Sequence, residues 1–199
     1  MADRSADSET KTDRFFPILP WSPLRGWEEP WHEPAHGLES IAGAGFTIAG
    51  FVQARDLAAC HRLGLKAIVA PPKRPRYMGD HWRALVETGA LDDHVRQWVR
   101  ETESTPGSQA VAGYFVMDEP GASMFPVLGQ VVDAFRRHAP GKLAYVNLYP
   151  NYATINTYDE SGAAQKSQLQ TDTYAEHLER YVAEVRPQFL SYDNYMVLY

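Results

Sequence analysis

The sequence contains a single cysteine, so neither a disulfide framework nor a cysteine-based metal cluster can form within the chain. Cys60 lies in an apolar segment with helical spacing (residues 57–60, LAAC), which indicates a packed thiol rather than a nucleophile. Nothing in the pattern of residues indicates a cofactor, and we expect none.

Basic residues are few and scattered. The 19 Lys and Arg against 25 Asp and Glu give a formal net charge of −6. This balance argues against nucleic acid and against an anionic membrane as the main partner. No segment approaches the ~18 consecutive apolar residues of a membrane span. The polar start, residues 1–14, lacks the apolar part of a secretory signal, so the sequence predicts a cytoplasmic protein.

The chain also lacks a glycine-rich phosphate loop. The residues that follow the first apolar run, 21–27 (WSPLRGW), do not form the GxGxxG pattern of dinucleotide-binding folds. This absence argues against a doubly wound nucleotide-binding sheet, which is one of two architectures that the rest of the pattern allows.

What the sequence does contain is a regular alternation of short apolar runs and amphipathic segments. The runs predict strands at 15–20, 46–52, 66–70, 111–117, 143–147 and 189–193. The segments between them predict helices at 37–44, 55–63, 80–88, 91–103, 125–138 and 173–185, with a long polar loop over 149–172.

Alternating strands and helices predict an α/β fold with parallel βαβ units. Polar and aromatic residues follow nearly every strand, and a barrel would bring all those strand ends to one mouth. A (β/α)8 barrel needs eight strands and ~250 residues. We therefore predict an incomplete barrel of TIM type, with about six βα units in residues 15–199 and a disordered polar tail over 1–14.

The most informative segment is residues 111–120 (VAGYFVMDEP), an apolar strand that ends in two adjacent acids and a proline. The carboxyl ends of parallel strands carry the ligand chemistry of α/β proteins. A carboxylate there serves general acid–base catalysis or metal ligation. The alternative role is capping of the following helix. We expect Glu119 to be functional and leave both roles open for Asp118.

Three further groups of residues are candidates for ligand binding. Asn and Tyr side chains offer neutral donors and acceptors with flat apolar faces, which suit hydroxyl-rich ligands. A loop with three tryptophans in eleven residues could stack on sugar rings, or could simply fill one end of the core. The candidates are Asn147 and Tyr149 after the fifth strand, Asp193 and Tyr195 after the sixth, and Trp21 and Trp27 in the loop.

The segments GYFVMDEP (113–120), AYVNLYP (144–150) and LSYDNY (190–195) resemble those of glycoside-hydrolase-like TIM-barrel proteins of bacteria, in the retaining β-glycosidase clan with β-galactosidase-type members. The resemblance implies that Glu119 is the general acid/base. The clan commonly has Asn immediately before this Glu, where this chain has Asp118. The clan's nucleophile is a Glu at the seventh strand, which this chain does not contain.

Three functions follow from these observations. The first is a glycoside hydrolase that acts on an oligosaccharide or glycoside, with Glu119 as proton donor and acceptor. The second is a non-catalytic carbohydrate-binding barrel. The third is a metal-dependent sugar-processing barrel, in which Asp118, Glu119, Asp193 and His32 hold a divalent ion, although the absence of HxH spacing weakens this hypothesis. The sequence does not indicate an oligomeric state.

Overall fold

The computed structural model describes residues 16–21, 37–73, 75, 77–153, 157–158, 164–165 and 168–194. Within these residues a parallel sheet contains β1 (Ile48–Val52), β2 (Lys66–Val69), β3 (Val111–Asp118) and β4 (Leu143–Asn147). A separate antiparallel pair consists of β5 (Thr157–Tyr158) and β6 (Ala164–Gln165). The helices are α1 (Leu38–Gly43), α2 (Leu57–Arg62), α3 (Met78–Glu87), α4 (Leu91–Glu103), α5 (Phe125–His138) and α6 (Tyr174–Arg180), which continues into a π-helical turn at Tyr181–Val185.

The α/β class is confirmed, but the predicted barrel with six βα units is wrong. The parallel sheet of the described residues has four strands in the order β1-β2-β3-β4, so the spatial order follows the chain order. The predicted first and sixth strands are absent as strands. The polar loop predicted over 149–172 instead contains the short β5–β6 pair, which is too brief for any periodicity to show in the sequence.

Proline prevents the first apolar run from forming a ladder. Ile18 accepts hydrogen bonds from the backbone N–H groups of Thr47 and Ile48, beside the start of β1. The next donor to β1 would be residue 20, which is a proline without an N–H, so the pairing cannot extend beyond Ile18. Residues 16–20 therefore lie against the sheet without regular secondary structure.

The last apolar run meets the sheet edge through side chains as well as backbone. The Ala144 N–H of β4 donates to the Gln188 side-chain oxygen (3.2 Å) instead of to a strand carbonyl. Backbone pairing occurs only beyond the end of β4, in an isolated parallel bridge between Leu148 and Tyr192. Because side-chain bonds of this kind do not repeat along the chain, no ladder forms.

The helices lie close to their predicted positions, and α5 shows why. Pro126 occupies its first turn, where a missing N–H costs nothing, and Arg136, Arg137 and His138 face the negative end of the helix dipole. The apolar face predicted for this helix is buried and consists of Phe125, Leu128, Val131, Val132 and Phe135. Among the described residues, no helix is long and apolar enough to cross a membrane.

The two faces of the parallel sheet bury different clusters. Alternate strand residues pack with α1–α5 into the main core, which includes Tyr114 and Val116 of β3. On the opposite face Ile48, Ile68 and Phe115 form a smaller cluster with partly buried side chains such as those of Leu19, Phe51 and Tyr145. The smaller cluster leads directly to the carboxyl ends of β3 and β4.

The prediction that Cys60 is a packed thiol is confirmed. Its side chain is buried in the main core. Burial, assisted by the nearby Asp56 carboxylate, raises the pKa of the thiol to about 12. The nucleophilic thiolate is therefore negligible at neutral pH.

Because α5 packs closely against the π-helical turn, there is no room for a Cβ at Gly129. A Cβ on Gly129 would lie 2.3 Å from the backbone oxygen of Glu184. Gly129→Ala should therefore lower stability by about 1–3 kcal/mol, even though alanine favours the helix by about 1 kcal/mol. Urea unfolding followed by circular dichroism measures the change. The control is Gly43→Ala in α1, because no atom lies within 4 Å of its Cβ; equal stability of the two variants would contradict the prediction.

Candidate active site

A β-bulge places Asp118 on the face of the sheet that carries the smaller cluster. Phe115 pairs with Tyr145, and Asp118 pairs with Asn147. These two pairs lie three residues apart on β3 but only two residues apart on β4. In a regular strand, a residue three positions after Phe115 would point to the opposite, helix-covered face. The extra residue in β3 reverses this alternation. Asp118 therefore lies on the same face as Tyr145 and Asn147.

The side-chain amide of Asn147 joins this strand end to the segment that follows α6. Asn147 is 2% exposed. Its Nδ2 donates to Asp118 Oδ1 (3.2 Å) and to Asp193 Oδ1 (2.9 Å), and its Oδ1 accepts from Ser191 Oγ (2.8 Å). Asp193 is also fixed by its backbone N–H, which donates to the Leu148 carbonyl (3.1 Å). Both N–H groups of the amide thus engage carboxylates.

Glu119 directly follows β3 in an unusual backbone conformation. Its φ is +44°, in the left-handed region that residues with a Cβ rarely adopt. Its N–H donates to the Asn147 carbonyl (2.8 Å), which extends the β3–β4 pairing by one bond. Such a conformation costs about 1–3 kcal/mol and is concentrated at functional sites. The backbone here is therefore held by its surroundings rather than by its own preference.

The electrostatics of the site centre on Glu119. Burial, the negative charges of Asp118 and Asp193, and a hydrogen bond with Asp193 raise the pKa of Glu119 to about 7. The pKa of Asp118 is also raised, because partial burial outweighs the stabilising hydrogen bond from Asn147, and the charge of Asp193 raises it further. Glu119 is thus a carboxyl group that changes protonation state near neutral pH.

Tyrosines surround the three carboxyl groups. Burial raises the pKa of Tyr149, and the charges of Glu119 and Asp118 raise it further, which means that its hydroxyl lies near both acids. Tyr174 OH donates to the Tyr149 carbonyl (2.8 Å) and so fixes the chain after β4. Tyr152, which the charges of Asp193 and Glu119 also reach, is 43% exposed. The site therefore presents an accessible aromatic ring beside acidic groups.

The structure brings together most of the residues predicted from the sequence. Trp21 reaches the site through ring contacts with Tyr145 (6.4 Å between centroids) and Phe51 (5.0 Å), and it is 41% exposed. The predicted residues that converge at the ends of β3 and β4 are Asp118, Glu119, Asn147, Tyr149 and Asp193. The candidates Trp27, Tyr195 and His32 lie outside the described residues.

Ser191 and Tyr145 also belong to the site, although neither was among the residues predicted to bind a ligand. Ser191 lies two residues before Asp193, and Tyr145 lies two residues before Asn147 on the same strand face. Tyr145 OH lies 3.0 Å from Ser191 Oγ. Period-two spacing from the two predicted polar residues is the signal that could have identified both.

A metal centre is not formed by the part of the chain that the structure describes. Among those residues, no group of three or more His, Cys, Asp or Glu side chains has an arrangement that could hold a metal ion. The hypothesis that Asp118, Glu119 and Asp193 bind a divalent ion therefore has no support from the described geometry. Asn147 donors occupy two of these carboxylates instead.

The solved structures that resemble this chain are distant ones. No family profile matches the chain, and no curated protein matches its sequence significantly. The crystal structure of the Legionella pneumophila ChiA C-terminal domain aligns with a TM-score of 0.44 and 14% identity, over 77% of this chain and 52% of that one. A proposed beta-galactosidase from Bacteroides fragilis aligns with a TM-score of 0.37 and 13% identity, over 77% of this chain and 23% of that one. The chain thus spans about half of the first and about a quarter of the second, and TM-scores below 0.5 establish no common fold.

The raised pKa of Glu119 predicts a pH-dependent stability difference. The folded pKa of about 7 exceeds the ordinary value of 4.5, so the folded state favours the protonated carboxyl. The resulting stabilisation is complete below pH 4.5 and is lost as the pH rises through 7. Glu119→Gln mimics the protonated form and should raise Tm at pH 8 but not at pH 4.

Differential scanning calorimetry at several pH values measures this difference. The matched control is Glu87→Gln, which changes an exposed glutamate at the end of α3. A Tm difference between Glu119→Gln and wild type that does not vary with pH would contradict the assignment of a raised pKa.

Proposed function

We propose that the carboxyl edge of the β3–β4 region binds a carbohydrate and that Glu119 transfers a proton to and from a glycosidic oxygen. The observation that carries the proposal is a carboxyl group with a pKa of about 7, next to two other carboxylates and among tyrosines. General acids work best when their pKa lies near the operating pH. A glycosidase raises the pKa of its acid by this kind of environment.

The groups around Glu119 suit a polyhydroxylated ligand. Carboxylate oxygens of Asp118 and Asp193 can accept hydrogen bonds from sugar hydroxyls, since each carboxylate has acceptor sites beyond the bond from Asn147. The accessible face of Tyr152 provides apolar surface for a sugar ring. The site thus combines acceptors for hydroxyls with surfaces for the ring.

In the proposed reaction the protonated Glu119 donates its proton to the leaving oxygen as the bond between that oxygen and the anomeric carbon breaks. A water molecule then forms a bond to the anomeric carbon and gives one proton to the Glu119 carboxylate, which restores the starting form. Asp118 and Asp193 bind substrate and maintain the charge that keeps Glu119 protonated. Because Asn147 engages both aspartates, we assign neither to nucleophilic attack.

Glu119→Gln tests the catalytic assignment in the whole 199-residue chain. We expect kcat on a panel of aryl glycosides and oligosaccharides to fall by about 10²–10⁴-fold, because glutamine cannot donate a proton to the leaving oxygen. Aryl glycosides with the most acidic leaving groups should lose least, since they need least protonation. Glu87→Gln should retain wild-type rates, and undiminished hydrolysis by Glu119→Gln would contradict the assignment.

A second candidate is carbohydrate binding without catalysis. It is favoured by two accessible aromatic rings near the site, those of Trp21 and Tyr152. This function predicts saccharide binding by isothermal titration calorimetry with no turnover, and equal affinity of wild type and Glu119→Gln. Alanine at Trp21 or Tyr152 should then weaken binding. Absence of both binding and turnover would contradict both candidates.

A further inference from the structure

A chain of hydrogen bonds leads from a phenol on β4 to two carboxylates of the site. Tyr145 OH lies 3.0 Å from Ser191 Oγ, and Ser191 Oγ donates to Asn147 Oδ1 at 2.8 Å. Asn147 Nδ2 then donates to Asp118 and Asp193. We call Tyr145, Ser191 and Asn147 the amide relay. It joins β3, β4 and the segment after α6.

The donors and acceptors of the amide relay can point in one direction only. Ionised carboxylates accept but do not donate, so the NH₂ group of Asn147 must face Asp118 and Asp193. The amide oxygen then faces Ser191, which must use its single hydroxyl hydrogen to reach it. Tyr145 is therefore the donor to Ser191. Burial raises the pKa of Tyr145, which keeps its phenol protonated and able to donate.

The far end of the relay is fixed by packing. The ring of Tyr145 lies 5.3 Å from that of Phe189 and 5.7 Å from that of Phe51, measured between centroids. Trp21 covers the same ring at 6.4 Å. These contacts hold the phenol against Ser191, and Ser191 in turn holds an amide that is 2% exposed and shielded from water.

We propose that Tyr145 and Ser191 are positioning residues, which hold the Asn147 amide with its NH₂ group toward Asp118 and Asp193. Through this orientation they make Glu119 the carboxyl group that holds the proton of the site. The proposal deepens the proposed function, because it concerns the same Glu119. Three neighbouring carboxyl groups repel one another when all are ionised, and the orientation of the amide determines which of them is protonated.

The relay acts by stabilising Asp118 as an anion. The hydrogen bond from Asn147 favours the charged form of Asp118, and the charges of Asp118 and Asp193 favour the protonated form of Glu119. If the amide were free to rotate, Asp118 would bind a proton more readily and would repel the Glu119 carboxylate less. The titratable groups that face this cluster are Asp118 from β3, Tyr145 from β4, Tyr149 and Tyr152 after β4, and Asp193 after α6.

The test is a site-resolved carboxyl titration of the full chain by ¹³C NMR, with Ser191→Ala as the main variant. We expect the midpoint of Glu119 to move below its wild-type value and that of Asp118 to move up. Tyr145→Phe removes only the distal hydroxyl and should shift both midpoints in the same directions by less. Ser191→Thr retains the hydroxyl and should restore the wild-type titration.

Ser104→Ala is the matched control, because the hydroxyl of Ser104, which directly follows α4, donates to the Arg100 carbonyl and takes no part in the relay. The proposal is overturned if folded Ser191→Ala or Tyr145→Phe titrates like Ser104→Ala, or if Glu119 moves upward. The measurement requires no saccharide. Shifted midpoints in a protein without glycosidase activity would contradict the proposed function alone, and activity with unshifted midpoints would contradict the relay alone.

Discussion

The buried amide of Asn147 is the contact on which the arrangement of the site depends. It is the residue of β4 that pairs directly with Asp118, and its side chain also reaches Ser191 and Asp193 on a segment more than forty residues away in sequence. A buried amide must satisfy its donors and acceptor within the protein. Here the partners come from two segments, β3 and the segment after α6, so satisfying the amide also determines how both of them meet β4.

As a consequence, three carboxyl groups lie close together. The bulge in β3 brings Asp118 to the face that carries Asn147, and the isolated bridge at Leu148 brings Asp193 there from the other side. Glu119 lies between these charges and has a pKa of about 7. Its strained backbone is held by a bond to the Asn147 carbonyl. The same residue thus fixes the backbone and the charge distribution of the site.

Residue spacing predicted the helices and strands correctly where the apolar pattern and the intrinsic propensity of the residues indicate the same element. The apolar face of α5, the strand that ends at Asp118 and the acids at its end were all evident from residue spacing. The barrel prediction failed because it treated every apolar run as a strand. Residues 16–20 contain Pro17 and Pro20, which cannot donate to a ladder, and the last run meets the edge of β4 through Gln188.

The sequence alone determined that a strand would end in a pair of carboxyl groups, because an apolar run followed by two acids and a proline permits little else. It also indicated that Asn147 and Asp193 would follow other parts of the sheet. Only the tertiary structure decided which side chains share a face, since one extra residue in β3 reverses the alternation of everything after it. The tertiary structure also decided the ionisation of Glu119, because its pKa depends on burial and on charges contributed by segments distant in sequence.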